Sequence, residues 1–408
     1  MEVFATRFPI FDVHMDVFAY RVAYQNNLQD YYQSVREKKT DNDLMEFIGL
    51  ADILGSSRGL IDFNRELLIA QYPLLFDQAK IIVCIPADLE VDSQVLDCCS
   101  KLRSRGYHLA LNDFRDGHLQ SPLLEFADIV NVECLGMTRD NSLRICQACR
   151  DRMIVLLGDS IQDEQQFHQA RADGFNLFGG RFFRQPAVRD HADLAPNKLA
   201  ALHLLKDVSQ ADQSPQDLAA LVQRDVGLTF QLLKLVNSVW YGLSHRVTSI
   251  QHALVLLGDR EVHRWASMMA LIAVGNDKPS ELLTLSLIRA KFAEQLAMLT
   301  SLKKQASELF LLGMFSVVDA IMDRKMEDVL TEVALAKTIK QTLLRQPSDY
   351  TPIYKAMLAY EHGQWVLFAG LAGEMGIDPN SVPPLFHQAL DWSQKAYLVV
   401  TSQQHCGV

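Results

Sequence analysis

Two cysteines have the spacing that suits thiol redox chemistry or zinc binding, Cys146 and Cys149 in the run C-Q-A-C. A structural zinc site needs a second pair in a short knuckle, and the sequence has none. A redox pair lies where a strand meets a helix, whereas the residue pattern places C-Q-A-C inside a helix. We therefore expect buried thiols rather than a redox or zinc site.

The common catalytic motifs are missing from the sequence. It contains no G-x-G-x-x-G or Walker loop for phosphates, no H-E-x-x-H pair for zinc and no G-x-S-x-G elbow for a nucleophilic serine. We therefore expect no cofactor and no metal from these classes of site.

The composition indicates a folded, acidic protein. The 408 residues suffice for two ordinary domains or one large one, and 49% of them are hydrophobic. The formal net charge of −10 makes the chain a poor candidate for binding the phosphate backbone of nucleic acid.

The sequence also predicts a cytoplasmic location. No apolar run approaches the roughly 18 residues that a membrane span needs. The N-terminus lacks the basic and apolar regions of a secretory signal. Seven widely spread cysteines indicate reduced thiols.

The first 190 residues alternate short β-rich runs with helical runs, such as 92–103, 142–152 and 164–172. This alternation predicts parallel βαβ units, and about eight strands favour a (β/α) barrel over an open sheet. The predicted strands are 9–13, 17–23, 59–63, 81–85, 107–110, 129–134, 154–157 and 176–178.

The residue pattern changes at 184–197. This stretch contains two prolines and several charged residues without helical or strand periodicity, which is typical of a domain boundary. We predict a barrel domain at 1–190, a linker at 191–197 and an all-α domain at 198–408. Its clearest feature is a helical corner at 225–258, in which Gly258 is placed to end a helix in a left-handed conformation. Further helices are predicted at 281–299, 307–322, 326–335, 336–344, 350–362, 365–374 and 381–400.

Read in order, the first half resembles the EAL domain, the barrel that hydrolyses cyclic di-GMP in bacteria. The runs that carry the resemblance follow the family's order and spacing over essentially the whole half. They are TRFPIFDVHMDVFAYRVAY, LIDFNRELL, IIVCIPADLE, GYHLALNDF, ADIVNVE, VLLGDSIQDEQQF and GFNLFGGRFFRQP.

The resemblance implies that the family's metal site is damaged here. A two-metal phosphodiesterase needs a set of carboxylates to hold its cations, and the name-motif Glu falls at Arg21, whose fixed positive charge repels a metal. We expect no turnover and no tight binding of cyclic di-GMP. The vestigial pocket comprises Arg21, Asp62, Cys84, Asn112, Asp113, Asn131, Glu133, Asp159, Gln162 and Gly179.

The second half resembles the HDOD family, an all-α output module of bacterial signalling proteins. The match begins at LAALHLLKDVSQADQSPQDLAALVQRDVGLTFQLLKLVNSVWYG and continues through VTSIQHALVLLGDREVHRWASM. Related phosphohydrolases bind metal through adjacent His and Asp, but none of the twelve histidines here precedes an Asp. The corresponding stretch, 310–319, is apolar and is expected to be core.

A helical module without a catalytic set is suited to binding other proteins. Aromatic and arginine side chains dominate interface energies. The candidate surface comprises Asn237, Trp240, Tyr241, Arg260 and Arg264; the alternative is that Trp240 and Tyr241 only pack the corner. Residues 199–242 also read like a helix-turn-helix, but the second helix offers few basic groups to DNA.

Together the two resemblances imply a non-catalytic bacterial signalling regulator of the EAL–HDOD type. It is expected to act through protein contacts, in cyclic di-GMP-related control of motility or biofilm formation. Its expected partners are other signalling proteins, and a homodimer is left open. The alternatives are a cyclic di-GMP sensor and a residual cyclic di-GMP phosphodiesterase.

Overall fold

The computed structural model describes residues 4–24, 50–187 and 250–401, together with Leu232, Val236 and Val247. The chain forms two compact units. One comprises Met1–Gln185 with Ala359–Trp365, and the other comprises Pro186–Leu358 with Val366–Val408. The predicted boundaries at 190 and 198 lie outside the described residues and stay predictions.

The first unit contains a closed barrel of eight strands in sequential order, which confirms the predicted barrel. Every predicted strand is present, with ends shifted by a few residues. The strands are β1 Ala5–Phe11, β2 Val17–Tyr24, β3 Gly59–Asp62, β4 Ile81–Pro86, β5 His108–Asn112, β6 Ile129–Glu133, β7 Val155–Ile161 and β8 Leu177–Gly180.

Strand β1 departs from the predicted parallel pattern, because it runs antiparallel to both β2 and β8. A tight turn joins β1 to β2, in which the Asp12 carboxylate accepts hydrogen bonds from the backbone N–H groups of His14 (2.8 Å) and Asp16 (3.0 Å). Such an Asx-type turn reverses the chain within a few residues. The remaining neighbours, β2 to β8, pair in parallel.

Helices follow most of the parallel strands, and several begin at a capping side chain. Asn64, Asp92 and Asp163 each accept a hydrogen bond from a backbone N–H in the first turn of the helix that they precede. These helices are α1 Leu50–Leu54, α2 Arg65–Ile69, α3 Ser93–Ser104, α4 Arg139–Asp151 and α5 Glu164–Asp173.

The C-Q-A-C run lies inside α4, as predicted. Cys146 and Cys149 are buried, and burial raises the pKa of both thiols, that of Cys149 to about 12. Both are therefore protonated near neutral pH and poorly nucleophilic.

An apolar layer fills the interior of the barrel. Side chains alternate between the two faces of a strand, so each strand sends every second residue inward. The members of this layer are Ile10, Ala19, Leu60, Ile82, Ala110, Ile129, Leu157 and Leu177, and Cys84, two residues beyond Ile82 on β4, packs on it from the mouth side.

The second unit is helical over its described residues, as predicted. Its helices are α6 Ile250–Val274, α7 Ser280–Met298, α8 Ala306–Phe315, α9 Val318–Met322, α10 Met326–Glu332, α11 Lys337–Leu343, α12 Thr351–Glu361, α13 Trp365–Glu374 and α14 Pro383–Thr401. Residues Ala359–Glu361 of α12 and Trp365 of α13 cluster with the first unit. No helix in the described ranges is long and apolar enough to cross a bilayer.

Two predicted features of this unit need correction. Gly258 has positive φ, as expected, but its ψ of 160° lies outside the left-handed helical region, and the chain continues in α6 beyond this kink. The helix predicted at 307–322 is broken between α8 and α9, because Val317 leaves helical geometry at φ −128° and ψ 17°. The apolar stretch containing Phe310 and Phe315 is core, as predicted.

Helices α7 and α8 cross at very close range. A Cβ atom on Gly313 would lie 2.3 Å from the carbonyl oxygen of Arg289, so this position accepts only glycine without a shift of the backbone. Helix α7 is consequently buried along most of its length.

Candidate functional site

Seven of the ten predicted pocket residues form one layer at the mouth of the barrel. On each parallel strand, the residue two positions beyond the apolar layer points the same way and lies nearer the C-terminal end of the strand. The pairs, apolar member first, are Ala19 and Arg21, Leu60 and Asp62, Ile82 and Cys84, Ala110 and Asn112, Ile129 and Asn131, Leu157 and Asp159, and Leu177 and Gly179.

Arg21 is the centre of this layer. Its Nη1 donates to Oδ2 of Asp159 at 2.7 Å, and its Nη2 donates to Oδ1 of Asn112 at 3.1 Å. The Arg21 and Asp159 side chains are 21% and 26% exposed. The guanidinium therefore bridges β2, β5 and β7 from a largely buried position.

Two asparagine side chains extend this network. Nδ2 of Asn131 donates to Oδ1 of Asn112 at 2.5 Å, so this oxygen accepts from both Asn131 and Arg21. Nδ2 of Asn112 donates in turn to Oδ1 of Asp62 at 3.3 Å. One connected set of hydrogen bonds thus joins β2, β3, β5, β6 and β7.

The Arg21 guanidinium keeps its charge inside this layer. Burial alone lowers its pKa, but the negative charge of Asp159, with smaller contributions from neighbours that include Asp62, raises the pKa above its ordinary value. The opposite holds for Cys84, where burial and then the charge of Asp62 raise the pKa of the thiol well above its usual range. At neutral pH the layer therefore contains a fixed cation and a neutral thiol.

Close packing holds the Asp159 carboxylate in place. The backbone N–H of Ser160, a residue at φ 59°, donates to its Oδ1 at 2.7 Å. On the neighbouring strand, a Cβ atom at Gly179 would lie 2.8 Å from the same oxygen. A larger residue at position 179 would displace the Asp159 carboxylate from its hydrogen bond with Arg21. The sequence pattern did not reveal this requirement for glycine.

The other three predicted residues lie outside this network. Asp113 and Glu133 are exposed at the ends of β5 and β6. Gln162 lies just beyond β7, and its Nε2 donates to the carbonyl oxygen of Ser160 at 2.9 Å. The structure thus brings together seven of the ten vestigial-pocket residues in one layer and leaves these three at its edge.

The residues present do not fit a two-metal site. Paired divalent cations need several shared carboxylates and water ligands. The layer offers two carboxylates, Asp159 paired with the Arg21 guanidinium and Asp62 bonded to Asn112, together with two amides and a protonated thiol. No group of three or more His, Cys, Asp or Glu side chains suited to a metal occurs within residues 4–24, 50–187 and 250–401.

The candidate interaction surface of the helical unit is only partly visible. Asn237, Trp240 and Tyr241 lie outside the described residues, and so does the side chain of Arg260. The expectation that Arg264 is exposed is wrong, because its side chain is 13% exposed.

Arg264 is instead a structural residue of the helical unit. Its guanidinium pairs with Glu294 on α7 and with Glu261 on α6 (2.9 Å), and lies 4.3 Å from the centre of the Phe310 ring. Its partners Glu294 on α7 and Phe310 on α8 are distant in the sequence, so the local pattern around Arg264 does not reveal them.

Comparison with known proteins agrees with this architecture. The HDOD domain family matches residues 195–350. The chain is 30% identical over 404 residues to the uncharacterized protein YuxH of Bacillus subtilis, a match that covers 96% of this chain and 98% of YuxH. It therefore belongs to the same family as YuxH, with a barrel of the EAL type followed by an HDOD domain.

A second relative has a functional name. The chain is 29% identical over 352 residues to the cyclic di-GMP phosphodiesterase CdgJ of Vibrio cholerae, covering 85% of this chain and 81% of that protein. Among solved structures, the Bacillus subtilis YkuI protein, with an EAL domain and in complex with cyclic di-GMP and calcium, is 13% identical. That match has a TM-score of 0.38 and covers 63% of this chain and 71% of YkuI.

Proposed function

We propose that this chain is a non-catalytic regulator in cyclic di-GMP signalling that acts through protein contacts. Its kinship with a protein named as a cyclic di-GMP phosphodiesterase supports the signalling context. The observation that carries the non-catalytic reading is the Arg21 guanidinium, which is paired with Asp159 at the mouth of the barrel.

A guanidinium in this place opposes metal binding by simple electrostatics. Two unit charges 4 Å apart interact by about 4 kcal/mol at an effective dielectric constant of 20, and a dication doubles that repulsion. Arginine cannot escape it by losing its proton. The pairing also occupies Asp159, the carboxylate that a cation would otherwise need.

The barrel mouth is therefore a structural layer. Arg21 supplies the positive charge that Asp159 and the neighbouring oxygens require, and the asparagines at 112 and 131 complete the hydrogen bonds between strands. Such a layer keeps the barrel folded while its surfaces remain available for partners.

The surface that contacts a partner protein is expected in the helical HDOD unit. Asn237, Trp240, Tyr241 and Arg260 remain candidates for contact with a partner protein, at a cytoplasmic location. The substitution pair Asn237→Ala and Trp240→Ala is expected to weaken partner capture if the corner is an interface. If the corner is core, the same pair mainly lowers the melting temperature.

Complementation in the native host tests the non-catalytic mode of action. A deletion strain is supplied with the wild-type chain or with the double variant Asp62→Asn, Asp113→Asn, which removes two of the remaining carboxylates while keeping their shape. Equal rescue of motility or biofilm formation, at equal protein levels, supports a non-catalytic regulator. Loss of rescue together with raised cyclic di-GMP supports residual hydrolysis instead.

A further inference from the structure

A concave surface lies at the end of the barrel opposite to the Arg21 layer. Its volume is about 750 Å³, and its walls come from the N-terminal ends of the parallel strands, where Phe18, His108, Ile129 and Val155 lie. Arg58, Arg103, Arg152 and Met153 complete its rim. No residue of the polar layer around Arg21 lines it.

Some of the charged side chains on this surface have a partner of opposite charge and others do not. Arg103 is engaged, because its guanidinium donates to the carbonyl oxygen of Glu125 (2.9 Å) and lies 3.5 Å from the Asp128 carboxylate. Asp128 also lies 3.6 Å from Nδ1 of His108. Its negative charge is therefore balanced within the pocket.

Two other arginines on the rim have no such partner. Within residues 4–24, 50–187 and 250–401, no ion pair joins Arg58 or Arg152 to a carboxylate, and Arg152 donates only to the carbonyl oxygen of Ala148, at 3.0 Å. Among the described residues that line this surface, Asp128 and the exposed Glu125 are the carboxylates. Within the part of the chain that the structure describes, the rim thus presents two guanidinium groups that no carboxylate neutralises, on a chain whose net charge is −10.

Apolar side chains are exposed on the same surface as these arginines. Phe18 and Val155 are 37% and 36% exposed, and Met153 is 92% exposed. Exposed aromatic, methionine and arginine side chains clustered on one face are typical of protein interfaces.

Met153 adopts a left-handed backbone conformation that residues other than glycine rarely take. It has φ 58° and follows α4 in a Schellman turn, in which N–H of Met153 bonds to the carbonyl of Arg150 and N–H of Ile154 to that of Cys149. Helices α3 and α5 end with the same hydrogen-bond pattern, but there Gly106 and Gly174 occupy the positive-φ position. Arg345 takes the same position after α11, so a side chain is tolerated there. Because glycine suits such turns, Met153→Gly would remove the side chain from the pocket without straining the backbone.

We propose that this surface, the Arg58–Arg152 face, docks an acidic peptide segment that carries an apolar anchor residue. Carboxylates of the segment would pair with Arg58 and Arg152, and the anchor would lie against Phe18, Met153 and Val155. The exposed rim favours a partner chain that supplies the missing wall over a small molecule, which needs enclosure. Two arginines opposed by Glu125 are too few for the backbone of a nucleic acid.

Peptide selection on the full-length protein tests this proposal, which does not depend on whether the barrel mouth is catalytic. A random peptide library displayed on phage is selected against the immobilised chain, and the recovered peptides are measured by fluorescence anisotropy. We expect recovered sequences with Asp or Glu beside an aromatic or aliphatic residue. Their affinity is expected to fall at least tenfold in the double variant Arg58→Glu, Arg152→Glu.

Two variants separate docking from folding. Arg171→Glu makes one such charge reversal on α5, outside the pocket, and should leave peptide affinity within twofold of wild type, whereas Arg58→Glu or Arg152→Glu alone should each lower it by more. Met153→Gly relieves the turn, so its melting temperature should be equal to or higher than that of wild type while peptide affinity falls severalfold.

Several results would overturn the proposal. These are recovery of no peptide, recovery of peptides without acidic enrichment, and equal binding to the wild type and the double variant. Competition of the recovered peptides by a poly-uridine RNA at physiological salt would assign the face to nucleic acid. Concentration-dependent dimerisation lost in the double variant would assign it to a second copy of this chain.

Discussion

Nη1 of Arg21 lies 2.7 Å from Oδ2 of Asp159, so an ion pair joins β2 to β7 across the mouth of the barrel. Both side chains are about three-quarters buried or more. In this position a guanidinium supplies the positive charge that a bound cation would otherwise bring. Its hydrogen bonds to Asp159 and Asn112 make it part of the fold.

A double-mutant cycle measures this pair. Removing either partner leaves a largely buried charge unpaired, so Arg21→Met and Asp159→Asn should each lower the free energy of unfolding, with a coupling of about 1–2 kcal/mol in urea titrations. The more exposed pair Arg144 and Asp116, 3.2 Å apart with side chains 61% and 32% exposed, is the control and should couple by about 0.5 kcal/mol or less. Equal coupling energies in the two cycles would show that solvent screens the Arg21–Asp159 pair as it screens the control pair.

Position 179 is predicted to require glycine, because the Asp159 carboxylate lies against it. Gly179→Ala places a Cβ 2.8 Å from Oδ1 of Asp159, so it should cost about 1–3 kcal/mol of unfolding free energy. The added substitution Asp159→Ala makes room and should recover part of that loss. Gly117→Ala is the control, because nothing lies within 4 Å of its added Cβ. A neutral Gly179→Ala would contradict the close contact.

Alkaline pH should destabilise the protein through its buried thiols. Burial raises the pKa of Cys99 to about 11 and those of Cys134 and Cys149 to about 12, from 9.0. The unfolded chain therefore loses these protons first. The stabilisation is complete below pH 9 and is lost as the pH rises through the folded-state values, at up to about 1.4 kcal/mol per pH unit for each thiol.

Urea unfolding in reducing buffer between pH 7 and 11.5 checks this dependence. Cys149→Ala lowers stability at pH 7 by loss of packing, but its stability should fall less steeply above pH 9 than that of wild type. Buried tyrosines such as Tyr350, whose pKa is also raised by burial, keep part of the slope in both proteins. Parallel curves for the two proteins would argue against titration of this thiol.

Arg264 is expected to matter for stability rather than for partner capture. Arg264→Ala leaves the buried Glu294 with Lys291 (3.0 Å) as its remaining cationic partner and removes the cation from the Phe310 ring. The free energy of unfolding should therefore fall by about 2 kcal/mol. Lys395→Ala breaks an exposed pair with Asp391 and should change it by less than about 0.5 kcal/mol. Normal stability of Arg264→Ala with loss of a partner would reverse this assignment.

Local sequence patterns predicted most of the fold. The strands of the barrel were foreseen because each is a short apolar run between turn residues, and the helices because of their periodic apolar faces. The antiparallel β1 was missed, since its turn to β2 contains no glycine. Met15 takes positive φ there instead. The break before Val317 also carries no proline.

The sequence predicted which residues belong to the candidate site but not the hydrogen bonds between them. Family resemblance placed Arg21, Asn112 and Asp159 at the mouth, yet nothing in the sequence says that they bond to each other across strands. Arg264 shows the same limit, because Glu294 is thirty residues away and meets it only through helix packing. Contacts between distant segments decide both cases.

The most direct test of the central claim is metal-dependent turnover of cyclic di-GMP by the purified full-length protein. The substrate is incubated with Mg²⁺ or Mn²⁺, and the linear product is quantified by chromatography against a metal-free control. The Arg21 layer predicts no linear product above that control with either cation. Metal-dependent product formation that is lost in Asp62→Asn would contradict the account and make the barrel an enzyme.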